Sequence, residues 1–315
     1  MDVIINKIHQ LTSNIRAFEL ISANHTALPV FEAGAHIDVH LKNGLIRQYS
    51  LSNCCSENHR YVIGVLHDVN SRGGSRCIHT EYQEGDRLTI GEPRNLFKIH
   101  PETQQAVLFA GGIGITPILS MAYRLKYQKI PFELHYFVRR HEMIAFFGNL
   151  TEHFPNQIHF HIQDQPETQC NMQDVLKEVS TQRHLYVCGP TGFMQFVMDS
   201  AEQAGWSSDQ LHQEHFVAQQ LDQSENETFT IEVLGSDRKI EVHPHQTATQ
   251  ALLENGFEVP ISCEQGVCGT CITRVVAGTP DHRDVFMTDD EHSLNNQFTP
   301  CCSRAKSKTL MIDLA

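Results

Sequence analysis

The chain has 315 residues, too many for one ordinary domain and suited to two or three. Twenty-four basic side chains stand against 37 acidic ones, a formal charge of −13 that argues against a generic nucleic-acid binder. The opening Met1-Asp2-Val3-Ile4-Ile5-Asn6-Lys7 lacks the basic start and long apolar run of a secretory signal, and the least charged stretch, Ala106 to Ala122, is interrupted by glycines and a proline. A soluble, cytoplasmic protein with no membrane partner is expected.

Residues 1–101 read as β-rich. Val3–Ile8, Ile15–Ile21, His36–Leu41, Arg47–Ser52, Tyr61–Leu66 and Leu88–Ile90 are strand-like, and turn signals such as Lys42-Asn43-Gly44 separate them. Many short strands predict a small antiparallel barrel. Two segments could hold a ligand. In Arg47-Gln48-Tyr49-Ser50-Leu51, Arg47, Tyr49 and Leu51 share one face and Ser50 the other. The arginine can neutralise a phosphate, the tyrosine can pack on a planar ring, and the serine can hydrogen-bond a ring nitrogen. In Ser71-Arg72-Gly73-Gly74-Ser75-Arg76, backbone amides could wrap a phosphate. Taken singly, the two segments read more simply as a surface strand and a turn.

Residues 102–220 alternate apolar strand-like runs (Ala106–Ala110, Glu133–Val138, Ile158–Ile162, Leu185–Cys188) with helical stretches (Ile118–Tyr127, Met143–His153, Met172–Val179, Gly192–Ala204). That order predicts an α/β domain with a parallel sheet. The first strand ends in Gly111-Gly112-Ile113-Gly114-Ile115-Thr116-Pro117, where a pyrophosphate could meet amides and a helix N-terminus. The spacing is not that of the dinucleotide fingerprint, and a plain strand-to-helix turn would also explain it. A second turn, Cys188-Gly189-Pro190, follows a later strand, and ligands bind at such strand ends. Cys188 could face a nicotinamide or be a small buried residue.

The polar tract Gln219–Glu227 reads as a linker. Residues 228–315 then hold five of the ten cysteines. Phe229–Leu234 and Lys239–Val242 predict a hairpin, and Thr249–Asn255 a helix closed by Gly256. Cys263, Cys268 and Cys271 show the C-x4-C-x2-C spacing of plant-type ferredoxins, where four thiolates hold a [2Fe–2S] cluster. Structural zinc sites prefer two separated C-x2–4-C pairs. The fourth ligand could be Cys301 or Cys302. Cys301 lies 30 residues after Cys271, a separation usual for such ferredoxins, and is chosen. On an extended backbone Cys302 would point away, as a small core residue.

Together these motifs, with Ala277-Gly278-Thr279-Pro280-Asp281-His282-Arg283-Asp284 and Cys302-Ser303-Arg304-Ala305, resemble the phthalate dioxygenase reductase family. The likeness covers essentially the whole chain. It implies an FMN-binding barrel, an NAD-binding α/β domain and a C-terminal β-grasp ferredoxin. By that resemblance the FMN phosphate meets Arg47 and Gly73-Gly74-Ser75, and the isoalloxazine lies near Tyr49, Ser50 and Leu51. NADH spans Gly111, Gly112, Gly114, Thr116 and Cys188-Gly189-Pro190, and Phe216 covers the flavin. Ser50, Cys188 and Phe216 are thereby candidates for the catalytic centre. Arg139-Arg140 follows the second nucleotide strand and could accept the extra phosphate of NADPH; the family favours NADH. The implied partner is a terminal Rieske-type non-haem iron oxygenase that demethylates a methoxylated aromatic acid. A phthalate-like or quaternary-amine oxygenase, and a stand-alone ferredoxin-type carrier, are the alternatives.

Overall fold

The computed structural model describes residues 1–69, 71, 73–216 and 226–314. Six strands come first: β1 (Asp2–Gln10), β2 (Ile15–Ser22), β3 (His36–His40), β4 (Ile46–Ser50), β5 (Tyr61–Leu66) and, after helix α1 (Gly74–Thr80), β6 (Arg87–Ile90). They pair antiparallel in the order β4-β3-β6-β1-β2-β5. Leu51, just past β4, bridges Ile63 of β5, so the two ends of the sheet meet as a barrel. Ile5, Phe18, Leu20, Ile37 and Ile63 fill its interior, and α1 adds Cys77 and Ile78.

The second sheet is wholly parallel. Its elements are β7 (Gln105–Gly111), α2 (Ile115–Gln128), β8 (Phe132–Val138), α3 (Phe147–His153), β9 (Ile158–Ile162), α4 (Met172–Leu176), β10 (Arg183–Cys188), α5 (Thr191–Gln203) and β11 (Leu211–Glu214). The strand order is β11-β10-β7-β8-β9. β7 and β10 are buried almost throughout, as central strands covered on both faces must be. Barrel and parallel sheet belong to one compact unit, Met1–Glu214.

The other unit, His215–Ala315, has a mixed sheet. The hairpin β12 (Phe229–Val233) and β13 (Lys239–Val242) is followed by α6 (Ala248–Glu254), β14 (Thr273–Ala277), β15 (Pro280–Asp281), α7 (Asp289–Leu294), β16 (Gln297–Phe298), β17 (Arg304–Ala305) and β18 (Thr309–Asp313). β18 lies parallel to β12 inside the order β13-β12-β18-β14-β16. Ala248, Ala251 and Leu252 of α6 pack on Ile231, Phe298 and Leu310 of the sheet, the layout of a β-grasp. Capping boxes start both helices, Thr247 with Gln250 and Thr288 with Glu291.

Several sequence expectations are corrected. Met143–His153 is not one helix. Ile144, Ala145 and Phe146 are buried, Ala145 N–H donates to Tyr136 Oη at 3.3 Å, and Phe146 takes φ 58° before α3 begins. Tertiary burial overrides the helical pattern there. Met172–Val179 shortens to α4. Gly73-Gly74-Ser75 is the start of α1 rather than an open loop, with Gly73 at φ 95°. β11 was not expected. Of the linker tract Gln219–Glu227, only Asn226 and Glu227 fall within the described residues, and Arg72 also lies outside them. Among the described residues no helix is long and apolar enough to cross a membrane.

Candidate functional site

The carboxyl ends of β7 and β10 bring the two glycine turns together. The strands are neighbours, with Cys188 opposite Ala110. Gly111 ends β7, Gly112–Gly114 forms a single 3-10 turn, and α2 follows. Gly114 is a steric necessity: a Cβ there would overlap the Cys188 carbonyl. A Cβ on Gly189 would come within 3.0 Å of Gly111 Cα, and one on Gly111 within 2.9 Å of Pro190. The segments 111–114 and 188–190 therefore form one continuous floor. Thr116 is buried, and its hydroxyl donates to Ile113 O at 3.0 Å, which fixes the turn.

Beside that floor stands a residue to which the sequence reading gave no role. β11 adds to the edge of β10 and sets Glu214 opposite Cys188. Ser50, buried at the end of β4, donates its hydroxyl to Glu214 Oε2 at 3.5 Å. Burial pushes the Glu214 carboxyl up to about 8, against the lowering effect of the Ser50 contact. Burial, reinforced by the Glu214 charge, also pushes the Cys188 thiol well up. Ser50, Cys188 and Glu214 thus form a cluster of poorly hydrated polar groups. The available signal for Glu214 was an acidic residue two positions before Phe216.

On the barrel, Arg47 and Tyr49 alternate along β4. The Arg47 stem lies so close to α1 that a Cβ on Gly74 would reach its Cγ at 2.7 Å. The guanidinium Nη1 donates to Ile46 O at 2.7 Å. Burial raises the Tyr49 phenol above its usual range. The Ser75 hydroxyl is tied to the preceding turn, 2.9 Å from Ser71 Oγ. Leu51 is fully buried in the barrel core, and its N–H donates to Ala35 O, so its side chain is not a contact surface. Phe216 is half-buried and belongs to the second unit.

In that second unit the loop between α6 and β14 folds back on itself, with Glu264, Gly266 and Gly269 at φ 54°, 71° and 69°. Cys263, Cys268, Cys271 and Cys301 are all buried. Their thiols crowd: Cys263 meets Cys268 and Cys301, and Cys301 meets Cys263, Cys271 and Cys302. Groups so close cannot ionise independently. Contact with Cys268 and Cys301 drives Cys263 far below the usual thiol range, and contact with Cys263 drives Cys268 and Cys301 above it. Backbone N–H groups point at the sulfurs, Gln265 at Cys263 (3.3 Å) and Thr270 at Cys268 (3.4 Å). Four enclosed thiols with amide donors aimed at them fit an iron–sulfur cluster in ligand number and charge.

The extended-backbone argument for Cys302 does not hold. Residues 301–302 lie in a turn, with Cys302 and Ser303 N–H groups both donating to Thr299 O. The half-buried Cys302 thiol lies against Cys301, sits 3.3 Å from Thr299 Oγ1, and closes on Gly266.

A family described as "2Fe-2S iron-sulfur cluster binding domain" matches residues 231–306. The chain is 82% identical to a vanillate O-demethylase oxidoreductase of Acinetobacter baylyi, over all of this chain and 99% of that protein. It is 38% identical to a phthalate dioxygenase reductase of Burkholderia cepacia, over 97% of this chain and 94% of the relative. A solved phthalate dioxygenase reductase superposes with a TM-score of 0.81 at 36% identity, covering 100% of this chain and 98% of that one. Its description is of electron transfer from pyridine nucleotides to [2Fe-2S]. The chain belongs to the phthalate dioxygenase reductase family and carries a 2Fe–2S ferredoxin domain at its C-terminal end.

Proposed function

We propose that this chain is the reductase component of a two-component Rieske oxygenase system, passing electrons from NADH through FMN and a [2Fe–2S] cluster to a terminal oxygenase. The oxygenase is an aromatic O-demethylase of the vanillate type, and the system works in the cytoplasm. Three modules divide the work: residues 1–101 for FMN, 102–220 for NADH and 228–315 for the cluster. The observation that carries the reading is the meeting of the two glycine turns beside Ser50, Cys188 and Glu214 in a chain that also holds the four-thiol loop. The likeness to the vanillate O-demethylase oxidoreductase supports the choice of oxygenase.

When bound, FMN and the cluster supply the conversion of a two-electron donor into single electrons. The protein's part is binding, orientation and exclusion of water. Arg47, braced against Gly74, offers a fixed cation for the FMN phosphate, and Tyr49 an aromatic face for the ring. The floor of 111–114 and 188–190 receives the NADH pyrophosphate on backbone amides, with α2 directly behind it. Cys188, small and buried, leaves room for the nicotinamide. Ser50 donates a hydrogen bond at the reaction face, and Glu214 keeps a proton beside it. Arg140 is held by Glu142 at 3.1 Å, which weakens its claim on a ribose phosphate and favours NADH over NADPH. Cys263, Cys268, Cys271 and Cys301 hold the cluster.

Anaerobic mixing with NADH, without any partner, tests the first half. The flavin absorption should bleach, and failure to bleach sinks the reductase assignment. The flavin released on denaturation should match FMN and not FAD. Supplying electrons to a purified vanillate-type oxygenase and scoring demethylated product tests the partner.

A further inference from the structure

One cluster of side chains on the parallel sheet is absorbed by none of these sites. Glu133, His135 and Phe137 alternate onto one face of β8, and His159 and His161 of the edge strand β9 lie beside them. The loop after β9 returns Cys170 to the same face. Nitrogens of His135 and His161 and the Cys170 sulfur all lie within 4.8 Å of one another. His135 is buried and the other two are half-buried.

The outer nitrogens decide what the inner ones can do. His161 Nδ1 is 2.6 Å from Thr168 O, which only accepts, so that nitrogen carries the proton and Nε2 keeps its lone pair. His135 Nε2 lies 3.4 Å from Glu133 Oε2. Glu133 stays ionised: the His135 contact, helped by Arg183 at 3.5 Å, holds it below the usual carboxylate range. It too only accepts. His135 Nδ1 and His161 Nε2 face each other at 2.9 Å: in the tautomer that donates Nε2–H to Glu133 both present lone pairs, and in the other Nδ1–H donates to His161. A cation bound by both nitrogens selects the first tautomer. Burial pushes the His161 imidazole down to about 4, which disfavours a proton on that ring. Imidazoles whose outer N–H groups are held by a carboxylate and a backbone carbonyl are oriented as metal ligands are. Burial likewise pushes the Cys170 thiol up to about 11, so a metal would displace its proton on binding. The Cys170 sulfur is 3.7 Å from Met172 Sδ, a second soft atom.

We propose that His135, His161 and Cys170 bind one borderline-soft divalent ion of the zinc class, with a water or the Met172 sulfur in the fourth position. Two imidazoles and a thiolate suit zinc; magnesium and calcium require oxygen ligands. The ion would staple the edge strand β9 and the loop behind it to β8, a structural role separate from electron transfer.

The test uses the holoprotein, with its iron counted throughout. After chelator treatment and equilibrium dialysis against micromolar Zn²⁺, one zinc per chain should be retained at unchanged iron. X-ray absorption at the zinc edge should show two nitrogens at about 2.0 Å and one sulfur at about 2.3 Å. Zinc should also raise the unfolding temperature, because only the folded chain presents the site. His161→Gln and Cys170→Ala should each abolish retention while iron stays constant. His212→Gln, in the other imidazole pair (2.9 Å from His184), should leave it intact. No zinc at constant iron, zinc retained by both site variants, zinc lost from His212→Gln, a coordination shell without sulfur, or zinc bound only as iron departs would each overturn the proposal.

Discussion

The cluster loop and the nucleotide edge both take ionisable groups out of water, but the loop drives one of its thiols to ionise while the edge keeps its groups protonated. In the loop, backbone N–H groups of Gln265 and Thr270 aim at sulfur, and Cys263 is driven to ionise. At the edge, Glu214 accepts a hydroxyl at a long 3.5 Å and is driven to stay protonated, as is Cys188 beside it. Desolvation has the same sign in both places. The difference lies in the neighbours: Cys263 is contacted by the Cys268 and Cys301 thiols, with backbone amides adding to them, whereas Glu214 has the single long contact from Ser50. One region is thus prepared for a group that needs anionic ligands, and the other for a ligand that must not meet a competing charge.

The sharpest way to break this comparison is at the fourth thiol. Cys301→Ser should abolish the visible spectrum of the cluster and its iron, while NADH still bleaches the flavin. Cys302→Ser should leave the spectrum nearly intact, and the reverse pattern would move the ligand to Cys302. Next in size is Gly114→Ala, which forces a methyl into the Cys188 carbonyl. Overpacking of this kind costs about 1–3 kcal/mol. The expected result is a roughly five- to hundredfold slower flavin reduction by NADH with the cluster spectrum unchanged, since about 1.4 kcal/mol is a factor of ten. An unaltered rate would mean that the two turns do not act as one floor. Smaller again is Arg47→Gln. Losing a charge-assisted contact worth about 1.5–3 kcal/mol should weaken FMN binding by roughly ten- to a hundredfold, read by dialysis against free FMN. Retention of FMN at parental affinity would take the phosphate away from Arg47.

How far each region could be read in advance follows from how local its determinants are. Cys263, Cys268 and Cys271 sit in one short segment, so spacing alone revealed them. The turns at 111–114 and 188–190 were visible for the same reason, but their mutual contact was not, because it depends on β7 and β10 becoming neighbours. Glu214 was missed because Leu211-His212-Gln213-Glu214 has no apolar alternation; it is a strand only because β10 offers it an edge. The Met143–His153 pattern misled because Phe146 is drawn against Gly64 of the barrel, a contact no local pattern encodes. Cys302 misled because a turn, stabilised by Thr299 O, replaced the extended chain assumed there.

Glu214 also gives the comparison its finest test, through pH. The unfolded chain releases this proton near the ordinary 4.5, and the folded chain holds it to about 8. Below the lower value both states are protonated and the residue costs nothing. Between the two values the unfolded state binds fewer protons than the folded one, so stability falls as pH rises, and above about 8 the loss is complete. Glu214→Gln cannot ionise and has no such slope. The difference in unfolding temperature, variant minus parent, should therefore be smallest near pH 5, grow toward pH 8 and then level off. Holding the proton from 4.5 to about 8 corresponds to ~5 kcal/mol, so at roughly 2–4 °C per kcal/mol for a unit of this size the change should be on the order of ten degrees. A difference that stays flat with pH would show that Glu214 ionises normally, and the edge would then hold a charge just as the cluster loop does.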